Sequence, residues 1–178
     1  MTRRARWIGI GACDAASLHA RCVGLAEAQA ADAEPIVVWG AARSNLCFGQ
    51  GLGVVWVDEG QPLFVLIVPT RLAPGRARRW IAWALAPAIA TCRSFGVLAY
   101  LEGHDLLAAG RRICGAGCNV IANCAVIAAS LPRVHPGERL VEARFRAAIE
   151  VQFGWQFETS WPSAAERQAM AEVAAWVG

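Results

Sequence analysis

The sequence has no lysine. All 17 of its basic side chains are arginine, set against 14 aspartates and glutamates for a net charge of +3. That absence excludes a Schiff-base lysine, a P-loop lysine and a lysine general base, and it excludes a carrier whose own lysine bears a cofactor. Charge of either sign is scarce: 17% of the residues are charged and 56% are hydrophobic. A chain of 178 residues with that balance can bury a full core, so one globular domain over residues 1–178 is expected and disorder is not. The small, dispersed positive charge marks no nucleic-acid surface, and the cluster Arg76, Arg78 and Arg79 reads as the solvated start of a helix.

Other familiar signals are missing too. The only histidines are His19, His104 and His135, and no two cysteines form a C-x-x-C pair, so no metal site is expected. Seven cysteines in an alanine-rich chain do not make a disulfide framework, and a reducing cytoplasm fits them better. The apolar stretch after the basic N-terminus, Ile8 to Ala12, is too short for a secretory signal and runs into Asp14. Ile113 to Leu131 carries no charge over 19 residues, the length of a spanning helix. Gly115, Gly117, Asn119 and Asn123 interrupt it, however, and its apolar residues come in short β-type runs, so two buried strands are expected and no membrane span. Gly49, Gly51 and Gly53 form a GxGxG, but Val54 stands where a dinucleotide fingerprint needs its third glycine, and a β run follows.

What is present alternates between helix and strand signals. Asp14 N-caps a helix expected to reach Ala33, with Leu18, Cys22, Leu25 and Ala26 on one stripe. Strands are expected at Ile36–Trp39 and Leu46–Phe48, and Val54–Val57 and Leu63–Val68 read as a hairpin joined through Asp58 to Pro62. Pro74 and Gly75 open a helix that Pro87 is expected to kink or end before Thr91. Further strands are expected at Gly96–Leu101, Leu106–Ala109, Arg111–Val120 and Ile121–Ala129, the first two joined by the polar turn Glu102 to Asp105. Two helices close the chain: Gly137–Phe153, with Leu140, Phe145, Ala148 and Ile149 inward, and Ser163–Val177, whose Ser163 and Glu166 form a capping box. This order predicts an α+β fold with a mixed, mainly antiparallel sheet flanked by helices.

Two segments carry the functional signal: Gly51 to Gln61, following Phe48-Gly-Gln50, and His104 to Gly115. They resemble the GGGAVYHDxGN segment after a GRxQ turn and the NDLxxxGRKIxG signature of the biotin/lipoate protein ligase family, in particular lipoate–protein ligase A and its octanoyltransferase relatives. Asp105, Gly110, Arg111, Ile113 and Gly115 are kept, and the likeness covers roughly residues 14 to 131. Such a resemblance implies ATP-dependent activation of lipoate, octanoate or biotin and transfer to a lipoyl-type carrier protein, or acyl transfer between carriers. The implied ligand turn is Gly51, Leu52, Gly53 and Val54 with Gly115, where backbone N–H groups meet developing charge. Arg112 stands where the family has its lysine, with Asp105 beside it as the second candidate catalytic residue.

Arginine keeps the charge but presents a planar fork in place of a point charge. Val57 and His104 replace a histidine and an asparagine, and the family's arginine pair and serine are missing before Gly51. Relatives that form a thioester carry cysteine at positions held here by Leu101 and Arg133. Strand alternation puts Cys114 and Cys118 on one face, either as packing residues or as a thiolate favoured by Arg111 or Arg112. Asp105 is likewise either a turn carboxylate or a ligand-facing one, and Gly51 and Gly53 serve a hairpin or a ligand. His104 reads as a surface turn residue, and Trp39, Trp56, Trp80 and Trp83 as core. The alternative to an active ligase or acyltransferase is a binding module that has lost catalysis, or the partner subunit of an active one.

Overall fold

The computed structural model describes residues 2–30, 32–48 and 55–177. In chain order its elements are β1 (Arg3–Cys13), α1 (Ala15–Glu27), β2 (Ile36–Ala42), β3 (Leu46–Phe48), β4 (Val55–Val57), β5 (Pro62–Pro69), α2 (Trp80–Ser94), β6 (Ala99–Glu102), β7 (Asp105–Ala108), β8 (Arg111–Ile121), β9 (Cys124–Ser130), α3 (Glu138–Phe153), β10 (Trp155–Thr159) and α4 (Ala164–Val177). Eight strands form one sheet in the order β10-β1-β2-β5-β9-β8-β7-β6, and β3 pairs with β4 in a separate ribbon. β1 runs parallel to both β10 and β2, and the other neighbours are antiparallel, so the expected mixed, mainly antiparallel α+β architecture is what forms.

The sheet has a core on each face. On one, α2 and α3 bring Trp80, Leu85, Phe145 and Ile149 against Trp39, Phe64 and Ile127. On the other, α1 and α4 bring Leu18, Cys22, Leu25 and Met170 against Ile36, Val65 and Ile67. β5 and β9 are buried along their whole length, which is why their sequences run apolar without alternation. Ile113 to Leu131 is accordingly the β8–β9 pair, and among the described residues no helix is long and apolar enough to cross a membrane.

Several boundaries differ from the sequence reading. β1 and β10 were not anticipated: polar side chains alternate with buried ones over only a few residues of each, and their partners are distant in sequence. Arg4 and Arg6 flank the buried Ala5 and Trp7, and Gln156 and Glu158 alternate with the buried Trp155 and Phe157. The expected β4–β5 hairpin does not form, because β5 instead pairs with β2 and β9. The β2–β5 ladder extends to Ala42 and Gly60 (2.7 Å), and β4 takes β3 as its partner instead. α2 runs through Pro87 to Ser94, where Thr91 Oγ donates to the Pro87 carbonyl at 2.8 Å. α1 ends at Glu27, short of the expected Ala33, and α3 turns Val141 inward with Phe145 and Ile149 and leaves Leu140 exposed.

Caps behave as read. The Ser17 N–H donates to Asp14 Oδ1 at 2.7 Å, and Ser163 and Glu166 cap α4 reciprocally, at 2.7 and 3.2 Å. Glu166 is only 5% exposed and also takes the Arg6 guanidinium on both carboxylate oxygens. Burial alone would push its carboxyl up, yet the Arg6 fork and the Ser163 amide outweigh it and hold the group below its ordinary value. A depressed folded pKa gives stability that is present at neutral pH and lost as pH falls below about 4.5. Glu166→Gln is therefore expected to cost about 2 kcal/mol at pH 7 and to flatten the acid limb of the melting-temperature curve, measured by thermal melts from neutral to acid pH.

Candidate functional site

β6 and β7 are joined by a two-residue turn whose Gly103 takes φ +61, and β7 and β8 by Ala109 and Gly110, both with positive φ. This short meander forms one end of the sheet and carries the second matched segment. In a regular strand Arg112 and Gly115, three residues apart, would point to opposite faces. They do not, because Leu106 pairs with Cys114 while Leu107 pairs with Arg112, leaving Ile113 as the extra residue of a bulge. The bulge brings Arg112 round to the face of Gly115, and Asp105 sits directly across from Gly115 on β7.

The three residues touch. Arg112 Nε lies 2.9 Å from Asp105 Oδ1, with both side chains nearly half exposed. A Cβ built on Gly115 would overlap Arg112 Nη2 and lie 3.0 Å from Asp105 Oδ1, so the guanidinium occupies the space that glycine leaves open. Asp105, Arg112 and Gly115, taken from the sequence as candidates, thus form one cluster. Leu106, Cys114 and Ala116 belong to the α2–α3 core, so the cluster faces the other side of the sheet, where β4 packs against β8 and β9. β3 ends at Phe48 and β4 begins at Val55; Gly51, Leu52, Gly53 and Val54 fall between them and lie outside the described residues.

Two further residues shape the site without having been assigned a role in it. Gln61 is buried, and its amide accepts from the Asp58 N–H at 3.0 Å and donates to Ser130 Oγ at 3.3 Å and to the Ile113 carbonyl at 3.4 Å. It therefore ties the bulge to β5 and β9 and satisfies a carbonyl that the slipped ladder leaves over. Beside it lies a hollow of about 730 Å3 walled by Asp58, Glu59, Gly60, Ile113 and Arg133 among others. Gly60 has φ +69, and a Cβ there would stand 2.5 Å from Arg133 Nη2, so arginine covers glycine a second time. The sequence signal for Gln61 was its place at the end of the first matched segment; for Arg133 it was the thioester-cysteine position.

The thiols do not take part. Burial pushes Cys114 up to about 12, aided by Cys92 nearby, and burial likewise raises Cys118. Cys114 packs in the α2–α3 core and Cys118 lies partly buried against it, on the face away from Arg112, which is the packing reading of the two cysteines. Arg112 instead spends its charge on Asp105. His104 is exposed in its turn, and Trp39 and Trp80 are buried as expected, with Trp83 stacked on Phe153 at 4.2 Å. Trp56 differs from these: it is 63% exposed, because β4 turns the neighbouring Val57 inward and strand alternation puts Trp56 on the opposite face.

No model of a known protein family matches the sequence, and no curated protein does. Solved structures do. A bipartite lipoate protein ligase from Thermoplasma acidophilum, described with its E2 lipoyl domain, superposes with a TM-score of 0.78 at 10% identity, over 97% of this chain and 92% of that one. A lipoate–protein ligase A bound with ATP gives 0.78 at 11% identity, over 98% and 95%. The chain has the lipoate–protein ligase fold. A biotin acetyl coenzyme A carboxylase synthetase from Helicobacter pylori, bound to biotinylated ATP, gives 0.58 at 14% identity over 84% and 75%, which extends the likeness to biotin ligases. In this lipoate/biotin ligase fold the resemblance reaches well beyond residues 14 to 131: β1, α3, β10 and α4, where no motif was read, belong to the shared architecture.

Proposed function

We propose that the protein is a lipoate- or octanoate-type protein ligase or acyltransferase that acts on a lipoyl-type carrier protein. The observation that carries this reading is the bulge-built cluster of Asp105, Arg112 and Gly115. Asp105 holds the guanidinium by its Nε edge, so the Nη groups remain to meet carboxylate or phosphate oxygens, the task the family's lysine performs. The residues present suit an acid and ATP: a fixed cation, a glycine that lets it lie close to the backbone, and a hollow next to Ile113. When bound, ATP supplies the adenylyl group that activates the acid. Arg112 and Asp105 are the proposed catalytic residues. Gly51, Leu52, Gly53 and Val54, with Gly115, are the proposed ligand turn. One domain and a cytoplasmic setting that keeps the thiols reduced belong to the same reading.

Incubation with ATP and lipoate, octanoate or biotin, in the presence of a lipoyl domain, is the test. An acyl-adenylate, or a carrier heavier by one acyl group, is the expected result; neither product with any of the three acids contradicts the proposal. A second reading, a catalytically silent module or the partner subunit of an active ligase, is favoured by one observation, the neutralisation of Arg112 by Asp105. A bipartite ligase among the structural neighbours gives it a precedent in the same fold.

A further inference from the structure

On the face of the sheet held by α1 and α4, away from the β7–β8 cluster, the two helices lie against each other at Gly24. An added Cβ there would stand 2.5 Å from the Met170 backbone nitrogen. Beside that crossing lies a cavity of about 380 Å3, within the usual size of a small-molecule site. Its walls follow helical spacing: Ser17, Ala20, Arg21 and Leu25 from α1, and Arg167, Met170 and Ala174 from α4. Ile8 and Leu25 form a dry floor, and Trp161, 82% exposed, stands at the rim.

The charge on these walls is of one sign. Among the described residues, Arg21 and Arg167 are the only ionisable side chains lining the cavity. Glu166, next to Arg167 in the chain, is taken by Arg6, and Asp14 is taken by Ser17. Arg167 is fixed by one N–H on the Pro162 carbonyl at 2.6 Å, which leaves the rest of its fork without a carboxylate. An apolar floor and two arginines without a carboxylate in hydrogen-bond reach select a ligand with an alkyl body and an anionic head.

We propose that this cavity binds a medium-chain alkyl carboxylate, its chain on Ile8, Leu25 and Met170 and its head between Arg21 and Arg167. The site is separate from the Arg112 cluster and independent of the proposed ligase reaction. Calorimetric titration of the full chain with decanoate, decanol and acetate tests it. Decanoate is expected to bind this cavity in a component that depends on Arg21, with decanol and acetate each weaker there by about tenfold or more, since one lacks the charge and the other the apolar body.

Arg21→Gln makes the decisive variant, because among the described residues Arg21 has no hydrogen bond or ion pair whose loss would disturb the fold. It should weaken decanoate by about tenfold while the melting temperature stays put. Ala174→Phe, from an exposed position on α4, should block the cavity. Arg112→Gln should leave the Arg21-dependent binding unchanged. Equal binding of decanoate and decanol, no binding of decanoate, full affinity in Arg21→Gln or Ala174→Phe, or loss of binding in Arg112→Gln would each overturn the proposal, the last by moving the ligand to the β7–β8 cluster.

Discussion

Gly24→Ala is expected to lower the melting temperature by about 2–8 °C. Two effects oppose each other there. Alanine in a helix interior gains about 1 kcal/mol over glycine. The added Cβ, however, would sit 2.5 Å from the Met170 nitrogen, 2.6 Å from its Cα and 2.9 Å from the Ala169 carbonyl carbon. All three are backbone atoms of α4, so no side chain can swing aside and the helices must part, at an overpacking cost of roughly 2–3 kcal/mol. The clash therefore wins. Gly9→Ala, whose Cβ meets nothing within 4 Å, is the control and should leave the thermal melt unchanged. A Gly24→Ala protein as stable as the parent would mean that α1 and α4 do not meet as described.

Gly115→Ala is expected to do the opposite: a large loss of acyl transfer with little loss of stability. Its Cβ would overlap the end of the Arg112 side chain and crowd Asp105, both nearly half exposed and free to move. Swinging them away costs about 1 kcal/mol or less, yet it removes the guanidinium from the position that the bulge creates. A misplacement of that size lowers catalysis by about a hundredfold. Steady-state acyl transfer measured beside a thermal melt separates the two effects. Undiminished transfer would show that Arg112 does not need its place over Gly115.

What the sequence made legible was local. The Asp14 cap, the Ser163–Glu166 box and the buried runs of β5 and β9 are written within a few neighbouring residues, and each stands where it was read. β1 and β10 were hidden because their pairing is parallel and joins residues such as Ala5 and Phe157, and because Arg4, Arg6 and Glu158 masked a two-residue period. At the site, Asp105, Arg112 and Gly115 could be chosen from the motif, but their meeting could not. It depends on a register slip at Ile113 that only the pairing with β7 reveals. Gln61, which braces that slip from β5, is likewise a long-range partner, 52 residues from Ile113 in the chain. Trp56 misled because an aromatic residue in a short β run reads as core, whereas Val57 is the residue that β4 turns inward.

The absence of lysine bears on function at one place, Arg112. If that arginine does the work of the family's lysine, Arg112→Gln should lose about a hundredfold or more in acyl transfer to a lipoyl domain, read by intact mass, while its thermal melt matches the parent's. An Arg112→Gln protein that modifies the carrier as fast as the parent would contradict the account, and would place the chemistry elsewhere than on the Asp105–Arg112 pair.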